Sequence, residues 1–155
     1  MINMRILALD VGTKRIGYAY ADTRVRIAIP RGMIPVDGNE FAEIAKQFRL
    51  EKADLLVCGR PRNSKGEETA QTEWVYNFII ALNDYFVKNK QKALKVIYQD
   101  ESLTSVRAEE ILGANKRELS RADREAGIVD AEAAAIILQD FIDSDECRKL
   151  EEEGK

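Results

Sequence analysis

The chain has no histidine in its 155 residues. That absence removes several chemistries together. Ser-His-Asp and Cys-His nucleophile systems, HExxH zinc sites and histidine acid–base ribonucleases all need an imidazole. Cysteine is scarce too. Cys58 and Cys147 are the only two, and they form no CxxC pair. Two free thiols in a reducing cytosol are expected. No stretch approaches the roughly 18 uninterrupted apolar residues of a membrane span. The amino-terminal segment runs straight into strand-like sequence, so no signal peptide is expected. A cytoplasmic protein with no membrane partner follows. GxxxxGK[ST] is missing, which excludes a P-loop. What remains for hydrolysis is carboxylate and metal.

What is present reads as one domain. The length suits a single core that needs no disulfides. Apolar residues make up 45% and charged residues 33%, values of an ordinary globular protein. The net charge is -3, which argues against a simple electrostatic binder of nucleic acid. Its distribution says more. Residues 140–155 hold seven acids and three bases, a net of -4, which leaves the body at +1. Any surface for a polyanion is therefore local. Residues 1–142 are expected to form the folded domain. Residues 143–155 are expected to be a frayed, charged tail.

Residues 5–11 (RILALDV) form a short apolar run, punctuated by Gly12, and predict a strand buried on both faces. Residues 15–21 and 25–30 predict two more strands in an antiparallel meander. Pro30, Gly32, Pro35 and Gly38 predict a loop. Phe41, Ile44, Ala45 and Phe48 carry helical spacing over 39–50. A strand is expected at 54–58, and a long helix over 67–88 with Trp74, Phe78, Leu82 and Phe86 on its core stripe. A strand at 95–99 follows, then a helix at 104–112 capped by Ser102 or Thr104. A charged mobile loop is expected over 113–127, and a last helix over 130–142. The order β-β-β-α-β-α-β-α-α implies an α/β fold: a five-stranded mixed sheet with helices on both faces.

Three acids stand where this topology gathers function. Asp10 ends the first strand, and Asp100 and Glu101 follow the fifth; functional groups collect at the carboxyl ends of strands. Each could equally be a turn or helix-start acid. The period of two puts Asp100 and Glu101 on opposite faces, so at most one joins a shared site, and spacing does not choose between them. Asp130 opens the final helix. Ala134, Ile137 and Phe141 continue its stripe, so it faces the core, where a carboxylate is costly unless paired or metal-bound. Acids converging from two strand ends and a helix would repel, and a hard divalent cation, Mg²⁺ or Mn²⁺, relieves that repulsion. Such a cluster suits hydrolysis of a phosphodiester.

Four blocks in register resemble the YqgF/RuvX family of ribonuclease-H-like proteins. They are Asp10 to Ala19 (DVGTKRIGYA); Gly59-Arg60-Pro61 with Asn63 and Gly66; Asp100 to Ser105 (DESLTS); and Val129-Asp130-Ala131 through Ile137-Leu138-Gln139. The resemblance spans Arg5 to Ile142. It implies a ribonuclease-H-like fold and a metal-dependent nuclease acting in ribosome biogenesis, on the precursor of 16S ribosomal RNA. It implies Asp10, Glu101 and Asp130 as catalytic and metal-holding acids, and so selects Glu101 over Asp100. Lys14 and Arg15 match a basic pair of the first block and are expected near phosphate. The chain departs from the family pattern at Ser102, which replaces an arginine, and at Arg60, which replaces an aliphatic residue. Ala133 stands where resolvases of this fold often carry a further acid, which favours a site of three carboxylates.

Arg60, Arg62 and Lys65 in the loop after the fourth strand, with Lys116, Arg117, Arg121 and Arg124 before the last helix, are expected to hold phosphates without reading bases. Interspersed acids equally fit solvated loops. The expected partner is nucleic acid: an RNA precursor, or branched DNA if the chain acts as a Holliday junction resolvase-like enzyme. Such a resolvase would be a homodimer; a monomer is the other expectation. A non-catalytic RNA- or ribosome-binding module is a further alternative. An actin-like ATPase, which also opens on DxGT, would need two such domains.

Overall fold

The computed structural model describes residues 2–101 and 127–153. Strands β1 (Arg5–Val11), β2 (Arg15–Asp22), β3 (Ile29–Pro35), β4 (Leu55–Pro61) and β5 (Val96–Glu101) form one mixed sheet in the order β3-β2-β1-β4-β5. β1 pairs antiparallel with β2, and β2 with β3; β4 runs parallel to β1, and β5 to β4. Helices α1 (Glu40–Leu50) and α2 (Ala70–Lys88) cover one face, and α3 (Ile128–Ile142) covers the other. A last helix, α4 (Asp145–Glu153), follows α3. The expected 104–112 helix, its caps, and the loop over 113–126 with its four basic residues lie outside the described residues.

The period of two sorts the core. Ile6, Ala8, Leu55, Val57, Ala19 and Ala21 pack against Ala134, Ile137, Leu138 and Phe141 of α3. Leu7, Leu9, Ile16, Leu56 and Cys58 pack against Ile44, Val75, Leu82 and Phe86 on the opposite side. Both faces of β1 and β4 are thus dry, which explains their continuous apolar runs. Each large side chain buried in this way contributes about 1.5–3 kcal/mol. α3 is almost wholly apolar and buries nine residues, as a helix enclosed on several sides must.

Four expectations need correction. β3 starts later than expected and runs through Pro30 and Gly32, which were read as loop. It is an edge strand, where proline costs no ladder bond, and a register irregularity at Tyr18/Ala19 accommodates it. Residues just before it are held by a side chain instead: Gln139 accepts from the Ala28 N–H at 2.9 Å and donates to the Arg26 carbonyl at 3.2 Å. β5 extends through Asp100 and Glu101. Trp74 is 39% exposed, because the buried stripe of α2 follows Thr72, Val75, Phe78, Ile79, Leu82 and Phe86 and passes beside it. The tail is not frayed. Through residue 153 it forms α4, with Cys147 and Glu151 buried.

One ion pair fastens α4. Arg26 donates from Nη1 to Glu151 Oε1 at 2.9 Å and from Nη2 to the Ile142 carbonyl at 2.8 Å. The Glu151 carbonyl accepts from the Ile2 N–H. Arg26→Ala should leave the Glu151 carboxylate buried without its cation and lower stability by about 2 kcal/mol. Arg26→Ala/Glu151→Gln should recover part of that loss. Urea unfolding of the two variants tests both statements.

Candidate active site

The α3 face of the sheet carries alternate residues of each strand: Asp10 on β1, Arg15 and Gly17 on β2, Gly59 on β4 and Glu101 on β5. Neighbours of these positions along each strand, among them Ala8, Ala19, Val57 and Ile97, pack under α3. Asp10 is in register with Gly17, and Glu101 with Pro61. Asp100 takes the other face. There it accepts from Arg60 Nε at 2.7 Å and from Arg62 Nε at 2.9 Å. These two guanidinium groups hold its carboxyl below the usual range. The question that spacing left open is answered by which face α3 covers: Glu101 shares that face with Asp10, and Asp100 turns toward arginines.

Two glycines bring the acids together. A Cβ on Gly17 would collide with the backbone carbonyl of Asp130, so β2 and the first turn of α3 touch main chain to main chain. A Cβ on Gly59 would collide with Glu101 Oε2 and lie 2.6 Å from Ile137 Cδ1. Both glycines stand in the family-like blocks, and Gly59, expected to stop the fourth strand after Cys58, lies inside β4. A glycine inside a strand signals close approach of another group, and that signal was available at Gly17. Asp130 itself sits in the first turn of α3, two residues after its start, with Gly127 as N-cap at φ 78°.

The Asp10 and Glu101 carboxyls lie close enough to share a hydrogen bond when one of them is protonated. Both carboxyls are pushed up, Asp10 to about 6 and Glu101 to about 8. Burial is the main cause for each. The negative charge of Asp130 adds to the shift of Asp10, and that of Asp10 adds to the shift of Glu101. Burial and the neighbouring charges thus raise the proton affinity of the pair, and the two carboxyls resist ionising together. Glu101 Oε2 is buried and has no hydrogen-bond partner. Asp130, 22% exposed at its side chain, accepts from Arg15 Nε at 3.0 Å. Buried Cys58 lies on the α2 face, and the same two acids help burial raise its thiol far above its ordinary value. It offers no thiolate.

A hard divalent cation fits part of this arrangement. An unsatisfied buried oxygen beside a second carboxyl is a donor set lacking a positive charge. Asp10 and Glu101 supply it. Among the described residues no group of three acids or thiols stands ready to hold a cation, and Asp130 is engaged with Arg15. Lys14 and Lys65 are exposed. Asn63 shapes the turn before Lys65, accepting from the Lys65 and Glu67 N–H groups, both at 2.9 Å.

A mixed sheet of this order, sealed by one apolar helix and carrying acids at the carboxyl edge, is the ribonuclease-H-like fold. Solved structures agree. The chain superimposes on T. thermophilus RuvC in complex with Holliday junction substrate with a TM-score of 0.54 at 15% identity, covering 94% of this chain and 96% of that one. The Fowlpox virus Holliday junction resolvase gives 0.52 at 14%, covering 90% and 98%. The chain belongs to the RuvX family, described as Holliday junction resolvase, whose model matches residues 4–144. A relative from Heliobacterium modesticaldum is 35% identical over 98% of this chain and 97% of its own length. Another, from Caldanaerobacter subterraneus, is 36% identical over 91% and 97%. Both carry the name pre-16S rRNA nuclease.

Two measurements test this geometry. Gly59→Ala should cost about 1–3 kcal/mol by overpacking and displace Glu101; urea unfolding reads the first effect, and proton exchange of the Glu101 carboxyl by NMR the second. The raised carboxyls also set a pH dependence. Both folded values lie above the ordinary 3.8 and 4.5, so the folded state holds more protons than the unfolded chain between about pH 4 and 8. In a chelator, stability should fall as pH rises through that window. Glu101→Gln should flatten the fall. Unfolding midpoints at pH 5.5 and 8.5 check the sign.

Proposed function

We propose that the chain is a metal-dependent nuclease that hydrolyses phosphodiester bonds in the precursor of 16S ribosomal RNA. The observation that carries this reading is the buried Asp10–Glu101 pair, one of whose oxygens has no partner, at the carboxyl edge of a ribonuclease-H-like sheet. The name shared by relatives across nearly the whole chain supports the substrate. Asp10, Glu101 and Asp130 are assigned as the catalytic and metal-holding acids. When bound, Mg²⁺ or Mn²⁺ supplies a water of lowered pKa and neutralises charge on the departing oxygen. That charge would relieve the repulsion between the acids, and their burial keeps the carboxylates oriented. Lys14, Arg15, Arg60, Arg62 and Lys65 are assigned to phosphate, positioning the strand without selecting bases. The site of action is the cytoplasm, where free Cys58 and Cys147 stay reduced.

Branched DNA is the second reading, favoured by the description of the family as Holliday junction resolvase. Cleavage of a 16S precursor and of a four-way junction, assayed side by side with Mg²⁺ or Mn²⁺, separates the two. Asp10→Asn, Glu101→Gln and Asp130→Asn should each lower precursor cleavage at least about a hundredfold. Wild-type rates in all three variants would refute the assignment.

A further inference from the structure

The Arg15–Asp130 ion pair is the least expected feature of the site. Arg15 opens β2 at the end of the turn that follows Asp10, and the Gly12 N–H closes that turn on the Arg15 carbonyl at 2.9 Å. It lies on the same sheet face as Asp10 and Gly17. The contact of Gly17 with the Asp130 main chain fixes the start of α3. Only the Asp130 side chain is left to turn, and Arg15 Nε holds its Oδ2 at 3.0 Å.

Of the three acids, Asp130 is the one with a cationic partner: Arg15 supplies it at 3.0 Å, while Glu101 Oε2 has none. A divalent cation recruiting all three acids must detach the guanidinium from Asp130. Arg15 has somewhere to go. Its side chain is 52% exposed, and it stands beside exposed Lys14 at an open turn. A phosphodiester offers paired oxygens that match the fork of a guanidinium better than one carboxylate oxygen contacted through Nε alone.

We propose that Arg15 is a positioning latch: it holds Asp130 in the free protein and releases it to the metal when a substrate phosphate takes the guanidinium. Metal and nucleic acid then bind cooperatively, and each tightens the other by the same factor. The proposal rests on the reading of Asp10, Glu101 and Asp130 as the metal site. It adds to that reading an order of events. The free protein keeps its third acid occupied, and a complete three-acid site forms only with a backbone phosphate beside it.

The test is Mn²⁺ binding by calorimetry, without any cleavage. For Arg15→Gln, Mn²⁺ alone should bind about fivefold tighter than to wild type, the order of what a half-exposed ion pair holds back. Lys14→Gln removes the same charge one residue away and should change the affinity less than about twofold, which separates the latch from a general change in potential. Asp130→Asn/Arg15→Gln should lose the gain. A single-stranded RNA made entirely of 2′-O-methyl nucleotides, with its own Mn²⁺ uptake subtracted, should tighten Mn²⁺ binding to wild type and not to Arg15→Gln. Unchanged or weaker Mn²⁺ binding by Arg15→Gln overturns the proposal. So does coupling that persists in Arg15→Gln, or an equal gain in Lys14→Gln. Mn²⁺ binding that survives Asp10→Asn unaltered would show instead that the site reading is wrong, and the latch falls with it. Arg15 is half exposed, so Arg15→Gln is expected to fold; Arg15→Lys, which keeps charge without the fork, should fall between wild type and Arg15→Gln.

Discussion

Burying two carboxyl groups side by side requires a charge or a proton between them, and the carboxyl edge of this sheet is organised by that constraint. Asp10 and Glu101 meet because β1 and β5 flank β4 in one parallel register. They meet closely because residue 59 has no side chain to separate Glu101 from Ile137. α3 then seals the pair from above, and Gly17 lets its first turn settle on β2. The same apolar helix that supplies much of the core therefore raises the proton affinity of the acids beneath it. Stability and chemistry draw on one packing contact, and they pull in opposite directions. Desolvation that strengthens the core makes ionised carboxylates expensive.

The two faces of the sheet divide the polar work. On the α3 face, acids are buried and short of positive charge. On the α2 face, Asp100 is surrounded by Arg60 and Arg62 at the mouth of the loop that leads to α2. Adjacent residues of one strand thus experience opposite electrostatics: Glu101 is pushed up and Asp100 pulled down. A change of one residue in the register of β5 would exchange them, so the chemistry depends on strand pairing as strictly as the core does.

Much of this was legible in the sequence, for physical reasons. Strands buried on both faces are short continuous apolar runs, and RILALDV and DLLVC stood out as such. The mixed sheet followed from three strands with short links and then alternation with helices. Helical spacing predicts a core-facing Asp130; the structure leaves its side chain 22% exposed and paired with Arg15. Other features depend on contacts between distant segments. β3 was misplaced because an edge strand tolerates prolines, and because Gln139 from α3 holds residues 26–28 in place of a neighbouring strand. A charged composition suggests a frayed tail; the Arg26–Glu151 pair that orders it, with the carboxylate buried, spans 125 residues. Parity announced that Asp100 and Glu101 diverge; the family resemblance chose Glu101, and α3 covers the face on which Glu101 lies. Trp74 shows the limit of stripe reading, since one residue of rotation exposes it.

In the proposed nuclease, Asp10 and Glu101 form the centre of a cation site. Crystals soaked in Mn²⁺ and measured at the manganese absorption edge test this directly. An anomalous peak is expected within coordinating distance of oxygens from both Asp10 and Glu101. Crystals that take up Mn²⁺ elsewhere, with none between these two carboxylates, would contradict it.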